Sequence, residues 1–167
     1  MDRSREILDE DAFRRLLAME AERAIRYRDF FSFCLVKADT REPGTDDSDA
    51  LRRAIARKIA ESLRSTDIVG NVRGGAGFLL LHTTSPDAVR VAERIRTLIE
   101  HVAFRGVPGE LPRRITLSIG EVSFPRDGAT DRALLSRAEA NLQEASRQGG
   151  NRVVATDEGR DEVSPRV

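Results

Sequence analysis

The 167-residue chain contains a single cysteine, Cys34. One thiol excludes a disulfide framework within the chain and suits a reducing compartment. Cys34 lies inside the apolar run FFSFCLV, where a buried, inert thiol is the expected state. Net charge is also absent, because 28 Lys plus Arg balance 28 Asp plus Glu. No global field therefore draws nucleic acid or membrane to the surface, and any anion site must be local. No run approaches membrane-spanning length, and the leading MDRSREILDED lacks the apolar core of a signal peptide. A cytoplasmic protein is the expectation. His82 and His101 have no cysteine or carboxylate partners at metal-ligand spacing, so structural or surface roles are expected of them.

What is present is a globular composition, 40% hydrophobic and 34% charged, in a chain long enough to bury a core. We expect one domain over 11–156, a short lead at 1–10 and a disordered charged tail from 157. Phe13, Leu16, Leu17, Ala21, Ala24 and Ile25 recur on one face of a helix over 11–28. The apolar stretch 30–38 reads as a buried strand, followed by a polar loop with Pro43 and Gly44. Ser48 or Asp49 can cap a helix whose Leu51, Ile55, Ile59 and Leu63 recur every four residues.

Residues 64–81, RSTDIVGNVRGGAGFLLL, read as a helix end, a strand at 68–72, a glycine-rich turn at 73–77 and a strand at 78–81. Ser85 can cap the next helix, which opens at Pro86 and faces the core with Val91, Ala92, Ile95, Leu98, Ile99 and Val102. Glycines and prolines make 105–114 a loop. ITLSIGEVSF, 115–124, reads as a strand in which Gly120 marks a bend or a close backbone approach. A helix over 129–147, with Leu134, Leu135, Ala138, Leu142 and Ala145 inward, stops at Gly149 and Gly150, and a short strand follows at 152–155. Helices interleaved with a central hairpin imply an α/β (α+β) domain built on a mixed sheet.

Three strings go beyond periodicity: ITLSIGEVSFPRDG (115–128), SRAEANLQEASRQGGNRVV (136–154) and the hairpin segment itself. Together they resemble the GGDEF domain, the catalytic domain of bacterial diguanylate cyclases, over about 13–154 and in the family's order. The resemblance implies a central five-stranded sheet with flanking helices, related to the palm of nucleotide cyclases. Active members join two GTP molecules into cyclic di-GMP, with carboxylates holding two divalent cations on the triphosphate.

Here those positions differ. Lys37 matches the family's first metal-binding aspartate, while Asp39 matches the second aspartate of that motif, which alone is not a metal site. In the degenerate signature Arg73, Gly74, Gly75, Ala76, Gly77 and Phe78, the two acidic places fall on Ala76 and Gly77, or on Gly75 and Ala76 when counted without gaps. The phosphate-gripping basic places match Ser146 and Gly150, whereas Gly149, Asn151 and Arg152 agree with the family. Asp49 matches one guanine contact, and the loop that carries the other is shortened. The resemblance thus implies no cyclase activity and no Mg²⁺ cofactor.

The family's inhibitory product site has an RxxD motif before the hairpin, matched by Arg64 and Asp67, and two arginines on the following helix, matched by Arg90 and Arg94. Residues four apart share a helix face, so the two guanidiniums can converge on one anion. Arginine pairs with phosphate oxygens or a guanine edge, and an aspartate can accept guanine N–H donors. Charge-assisted hydrogen bonds contribute roughly 1.5 to 3 kcal/mol each, against about 8 kcal/mol for micromolar binding. Stacking, or a homodimer bridged by the ligand, would have to help.

Against this stands a plainer reading, in which Arg64 and Asp67 are a helix-end pair and Arg90 and Arg94 a solvated face offset by Glu93. Three functions follow: a cyclic di-GMP receptor that signals to a partner protein, a nucleotide-independent interaction module, or an enzyme with altered nucleotide chemistry. With only SREILDED before the first helix, an adaptor within a larger assembly is expected.

Overall fold

A computed structural model describes residues 6–39, 49–104 and 113–157. The expected loops at 40–48 and 105–112, the cap at Ser48 and the tail from 158 lie outside the described residues. Helix α1 (Glu10–Tyr27) precedes strand β1 (Phe31–Asp39), helix α2 (Asp49–Ser62) and strands β2 (Ile68–Val72) and β3 (Gly75–Leu81). Helix α3 (Ser85–His101), the short strands β4 (Ala103–Phe104) and β5 (Arg113–Arg114), strand β6 (Thr116–Phe124), helix α4 (Asp131–Arg147) and strand β7 (Arg152–Ala155) complete the order. The small β4–β5 pair lies at the edges of the segment expected to be loop.

The main sheet has five strands in the order β2-β3-β1-β6-β7. Strand β1 is central, antiparallel to both β3 and β6, while β6 and β7 run parallel. A mixed sheet covered on both faces explains why β1 and β6 read as continuous apolar runs. One face packs against α1 and α4 through Phe13, Leu17, Phe33, Leu35, Leu134 and Leu142. The other packs against α2 and α3 through Cys34, Val36, Ile55, Ile59, Ala92 and Ile95. Burial raises the Cys34 thiol well above its ordinary range, with the nearby Glu121 carboxyl adding to the effect, in keeping with an inert thiol.

The described end of the lead is tied to the sheet. Leu8 lies beside Gly70 at the outer strand β2, donating to the Val69 carbonyl at 3.0 Å and accepting from Asn71 at 2.9 Å. These bonds occupy part of an otherwise open sheet edge. Asp9 caps α1 by accepting from the Ala12 amide at 2.8 Å. Helix α4 approaches β6 at Gly120, where a Cβ would stand 2.3 Å from the Ala138 carbonyl oxygen and 2.6 Å from the Leu142 amide. This is the close approach expected from the sequence.

Several local expectations need correction, among them Ile25 and Leu98, expected to face the core but exposed. The hairpin turn is only Arg73 and Gly74, both left-handed at φ 46° and 76°, the backbone of a two-residue primed turn. Gly75, Ala76 and Gly77 already belong to β3, paired with Val72, Asn71 and Gly70. Glycine serves there for proximity: a Cβ on Gly75 would meet the Val36 carbonyl oxygen at 2.1 Å. At α3 the cap residue is Thr84, whose side chain makes no capping bond. Ser85 begins the helix and turns its hydroxyl to Glu121 instead. Asp49, likewise, opens α2 from within the helix.

Candidate functional site

The C-terminal end of α2 gathers three of the four expected ligand residues. The Asp67 side chain is 2% exposed, and its Oδ2 accepts from the Arg64 backbone N–H at 2.9 Å and from Arg64 Nε at 3.3 Å. Its Oδ1 accepts from Arg64 Nη2 at 3.2 Å. The same Nη2 also donates to the Leu81 carbonyl at 3.2 Å and to Thr83 Oγ1 at 3.0 Å. Arg64 is therefore bound by side chain and backbone yet keeps a side chain 62% exposed. Such a guanidinium is fixed in direction and open to solvent.

From the neighbouring helix, Arg94 Nη2 donates to the Ser62 carbonyl at 2.9 Å, a cation on one of the last carbonyls of α2. Arg94 thereby joins Arg64 at one helix end. Arg90 lies one turn earlier on α3, with a side chain 81% exposed and paired with Asp87 at 3.2 Å. It shares a helix face with Arg94 but makes no bond to Arg64 or Asp67. Both Asp67 oxygens being engaged by Arg64, the carboxylate holds the arginine rather than facing outward.

A second cluster forms where the hairpin meets β1 and α4. A cavity of about 300 Å³ is lined by Lys37, Arg73, Gly75, Glu139, Gln143 and Ser146 among others. Lys37 and Ser146, matched in the sequence to a metal-binding and a phosphate-gripping place, thus share one hollow with Gly75, an acidic place in one of the two registers. Arg73 spans it to form an ion pair with Glu139 and donates its backbone N–H to Glu10 at 3.0 Å. An adjoining cavity of about 320 Å³ brings Asp49 beside Arg52, Arg73 and Gly74.

These residues do not fit a divalent cation. Lys37 contributes a positive charge, and Gly75 has neither a side chain nor space for one. Asp39 lies nearby in β1, but its oxygens accept from Thr116 Oγ1 at 2.7 Å, Ser118 Oγ at 2.5 Å and the Asn151 amide at 2.8 Å. Among the described residues, no three His, Cys, Asp or Glu side chains stand together as metal ligands. His82 instead meets Asp29 at 2.9 Å, a carboxyl held below its ordinary range chiefly by its bond from Arg23. His101 binds the Thr97 carbonyl at 2.8 Å.

Sequence reasoning missed a buried polar group beneath the ligand cluster, formed by Ser32, Thr83, Glu121 and Ser123. Its one sequence signal is an acid inside the run ITLSIGEVSF. Burial, more than any other effect, raises the Glu121 carboxyl above the usual carboxylate range.

The profile described as "Diguanylate cyclase, GGDEF domain" matches residues 12–152. Response regulator PleD of Caulobacter vibrioides is 34% identical over 113 residues, covering 66% of this chain and 25% of that protein. The chain thus spans about a quarter of the length of this curated relative. Among solved structures, the GGDEF domain of YfiN (TpbB) from Pseudomonas aeruginosa superposes with a TM-score of 0.80 at 23% identity, covering 91% of this chain and 98% of that one. The GGDEF domain of DgcB from Caulobacter crescentus, solved in complex with c-di-GMP, gives 0.78 at 17% identity, covering 93% and 96%. Diguanylate cyclase SiaD from Pseudomonas aeruginosa, solved with its activator SiaC, gives 0.76 at 27% identity, covering 89% and 58%. With its five-stranded mixed sheet, its hairpin and a profile match across most of its length, the chain belongs to the diguanylate cyclase GGDEF domain family.

Proposed function

We propose that this GGDEF domain is a receptor for cyclic di-GMP that does not synthesise the dinucleotide. The observation that carries the reading is the fixed but exposed Arg64, joined by Arg94 at the end of α2. Two guanidiniums held before a ligand arrives lose little conformational freedom on binding. Their planar donors suit phosphate oxygens and the guanine edge. Arg90 completes the cationic face, and Asp67 sets the direction of Arg64. A GGDEF domain of the same fold carries c-di-GMP in the DgcB complex, which supports the choice of ligand. The receptor passes the binding event to a protein partner, either alone or as a dimer bridged by stacked ligand.

Absence of synthesis follows in this reading from the hairpin cavity. Lys37 repels a divalent cation, Gly75 excludes an acidic side chain, and Asp39 is consumed by three donors. Calorimetric titration with cyclic di-GMP, and separately with GTP plus Mg²⁺, tests both halves. Saturable binding of the dinucleotide that is lost in Arg64→Ala, without turnover of GTP, is the expected result. Mg²⁺-dependent turnover would overturn the reading of Lys37 and Gly75.

A nucleotide-independent adaptor is the second reading, favoured by the exposed Met19, Ile25 and Tyr27 of α1 and by the protein partner bound to SiaD. Absence of heat with either nucleotide would select it.

A further inference from the structure

Glu121 on β6 is fully buried opposite Cys34 of β1. Its Oε1 lies 2.8 Å from Ser123 Oγ, which lies 2.8 Å from Ser32 Oγ, its partner across the strands. Ser32 Oγ in turn lies 2.8 Å from the Thr83 carbonyl oxygen. Four oxygens thus form a path with three contacts, and each contact requires one proton. A serine hydroxyl has one proton to donate, and a carbonyl has none. The two serines therefore supply two protons for three contacts. Were Glu121 ionised, one of these buried 2.8 Å approaches would be oxygen against oxygen with nothing between.

We propose that Glu121 stands as a neutral carboxylic acid at the head of this chain and acts as a positioning residue for the ligand site at Arg64. The missing proton is its own: Glu121 donates to Ser123, Ser123 to Ser32, and Ser32 to the Thr83 carbonyl. Its other oxygen, Oε2, accepts from Ser85 Oγ at 2.8 Å, so the acid has both a donor and an acceptor role filled.

Thr83 is where the chain reaches the ligand site. Its Oγ1 accepts from Arg64 Nη2 at 3.0 Å and donates to the Leu81 carbonyl at 2.9 Å, the same carbonyl that Arg64 contacts. Ser32 therefore fixes the backbone on which the guanidinium rests. Through Ser85 the same acid touches the first turn of α3, the helix that carries Arg90 and Arg94. The inference rests on the reading of Arg64 as a ligand residue.

The charges facing Glu121 are few. Asp127 and Arg126 lie in the turn after β6, the former favouring the neutral acid and the latter opposing it. Arg126 is drawn aside, 3.3 Å from Asp127 and 3.5 Å from Ser85 Oγ. From β1 comes the buried Cys34 thiol. From α4 comes neutral Asn141, which donates to the Glu121 backbone carbonyl at 2.8 Å. From α3 comes Ser85.

The test has two arms, both on the full chain. In the first, without ligand, glutamate side-chain carboxyl carbons are followed by ¹³C NMR against pH. One resonance, absent from Glu121→Gln, should titrate well above the surface glutamates. It should move back toward them in Ser32→Ala, where Ser123 becomes free to donate to the carboxylate. Titration together with the surface set, or no response to Ser32→Ala, would overturn the proton count.

In the second arm, cyclic di-GMP is titrated calorimetrically across the pH range of that resonance. Wild type should lose affinity roughly 2- to 10-fold as Glu121 ionises, the effect of one hydrogen bond, while Glu121→Gln holds its affinity constant. Parallel pH curves for the two proteins would overturn the positioning role. No binding by either would instead overturn the ligand-site reading, with the proton count still decided by the first arm.

Discussion

Replacing Arg64 and Asp67 one at a time should separate ligand contact from structural support. Asp67→Ala removes the acceptor of the Arg64 backbone N–H, a 2.9 Å bond to a nearly inaccessible carboxylate. It also removes both guanidinium contacts. A hydrogen bond to a charged group contributes about 1.5 to 3 kcal/mol. The guanidinium pair adds about 1 kcal/mol or less, because the Arg64 side chain is largely in solvent and screened. Asp67→Ala should therefore cost about 3 kcal/mol, measured by urea denaturation. Arg64→Ala leaves the backbone bond in place and loses the screened pair together with the solvent-facing Nη2 contacts to Leu81 and Thr83, so about 1 to 2 kcal/mol is expected, still less than for Asp67→Ala.

For cyclic di-GMP affinity the order should reverse. Arg64→Ala removes the exposed guanidinium and should weaken binding at least about tenfold, whereas Asp67→Ala, which leaves the guanidinium on its Leu81 and Thr83 contacts, should have the smaller effect. Equal stability losses in Arg64→Ala and Asp67→Ala would refute the argument, since the side-chain pair would then carry what we assign to the backbone bond. Full affinity in Arg64→Ala would refute the ligand contact itself.

Lys37→Asp should not bring GTP turnover, because one restored carboxylate still lacks a partner while Asp39 is occupied; Mg²⁺-dependent product in a chromatographic assay would contradict this. Gly120→Ala should destabilise by roughly 3 kcal/mol, the upper part of the usual overpacking range, because its Cβ meets backbone that cannot rotate away; thermal unfolding measures it. Glu121 ionises in the unfolded chain around its ordinary 4.5, while burial raises the folded carboxyl above that value. Stability should accordingly fall as pH rises from there to the folded pKa, and Glu121→Gln should remove that slope in denaturation series.

The sheet was legible because its strands carry the pattern that burial requires. Residues 68–72 and 152–155 form strands as read, and Gly120 marks the close approach of α4. The hairpin was harder. RGGAG offers several glycines for one turn, and pairing of Ala76 with Val36 and of Gly77 with Leu35 on β1, next to Gly75 opposite Val72, places Gly75 and Gly77 in the strand. Pairing of that kind is long-range and leaves no local trace. Arg64, Asp67, Arg90 and Arg94 came from spacing and resemblance, but the engagement of both Asp67 oxygens by Arg64 depends on the chain's path after α2. Ser85 was misplaced for a related reason. Thr84 and Ser85 both resemble caps, and the buried Glu121 that draws the Ser85 hydroxyl away is 36 residues further along.

Asp39 shows why counting acids is a poor guide to chemistry in this fold. It matches a metal-motif aspartate, yet its three bonds tie the end of β1 to Thr116 and Ser118 on β6 and to Asn151 before β7. That duty concerns the sheet and stands whether or not a cation is ever bound. Asn151 extends the tie, accepting from Arg96 at 2.9 Å and donating to Glu100 at 2.9 Å, both on α3. Helix α3 is thus held at one end through Ser85 to Glu121 and toward the other through Asn151 to Asp39. A helix fixed at two points along its length resists sliding, because each polar link would have to break without replacement. Arg90 and Arg94 are consequently presented by a stationary surface. In the proposed receptor, a ligand bound there would change charge and shape at the surface more readily than it would move the helix, so a responding protein would be best placed to touch the ligand-covered face itself.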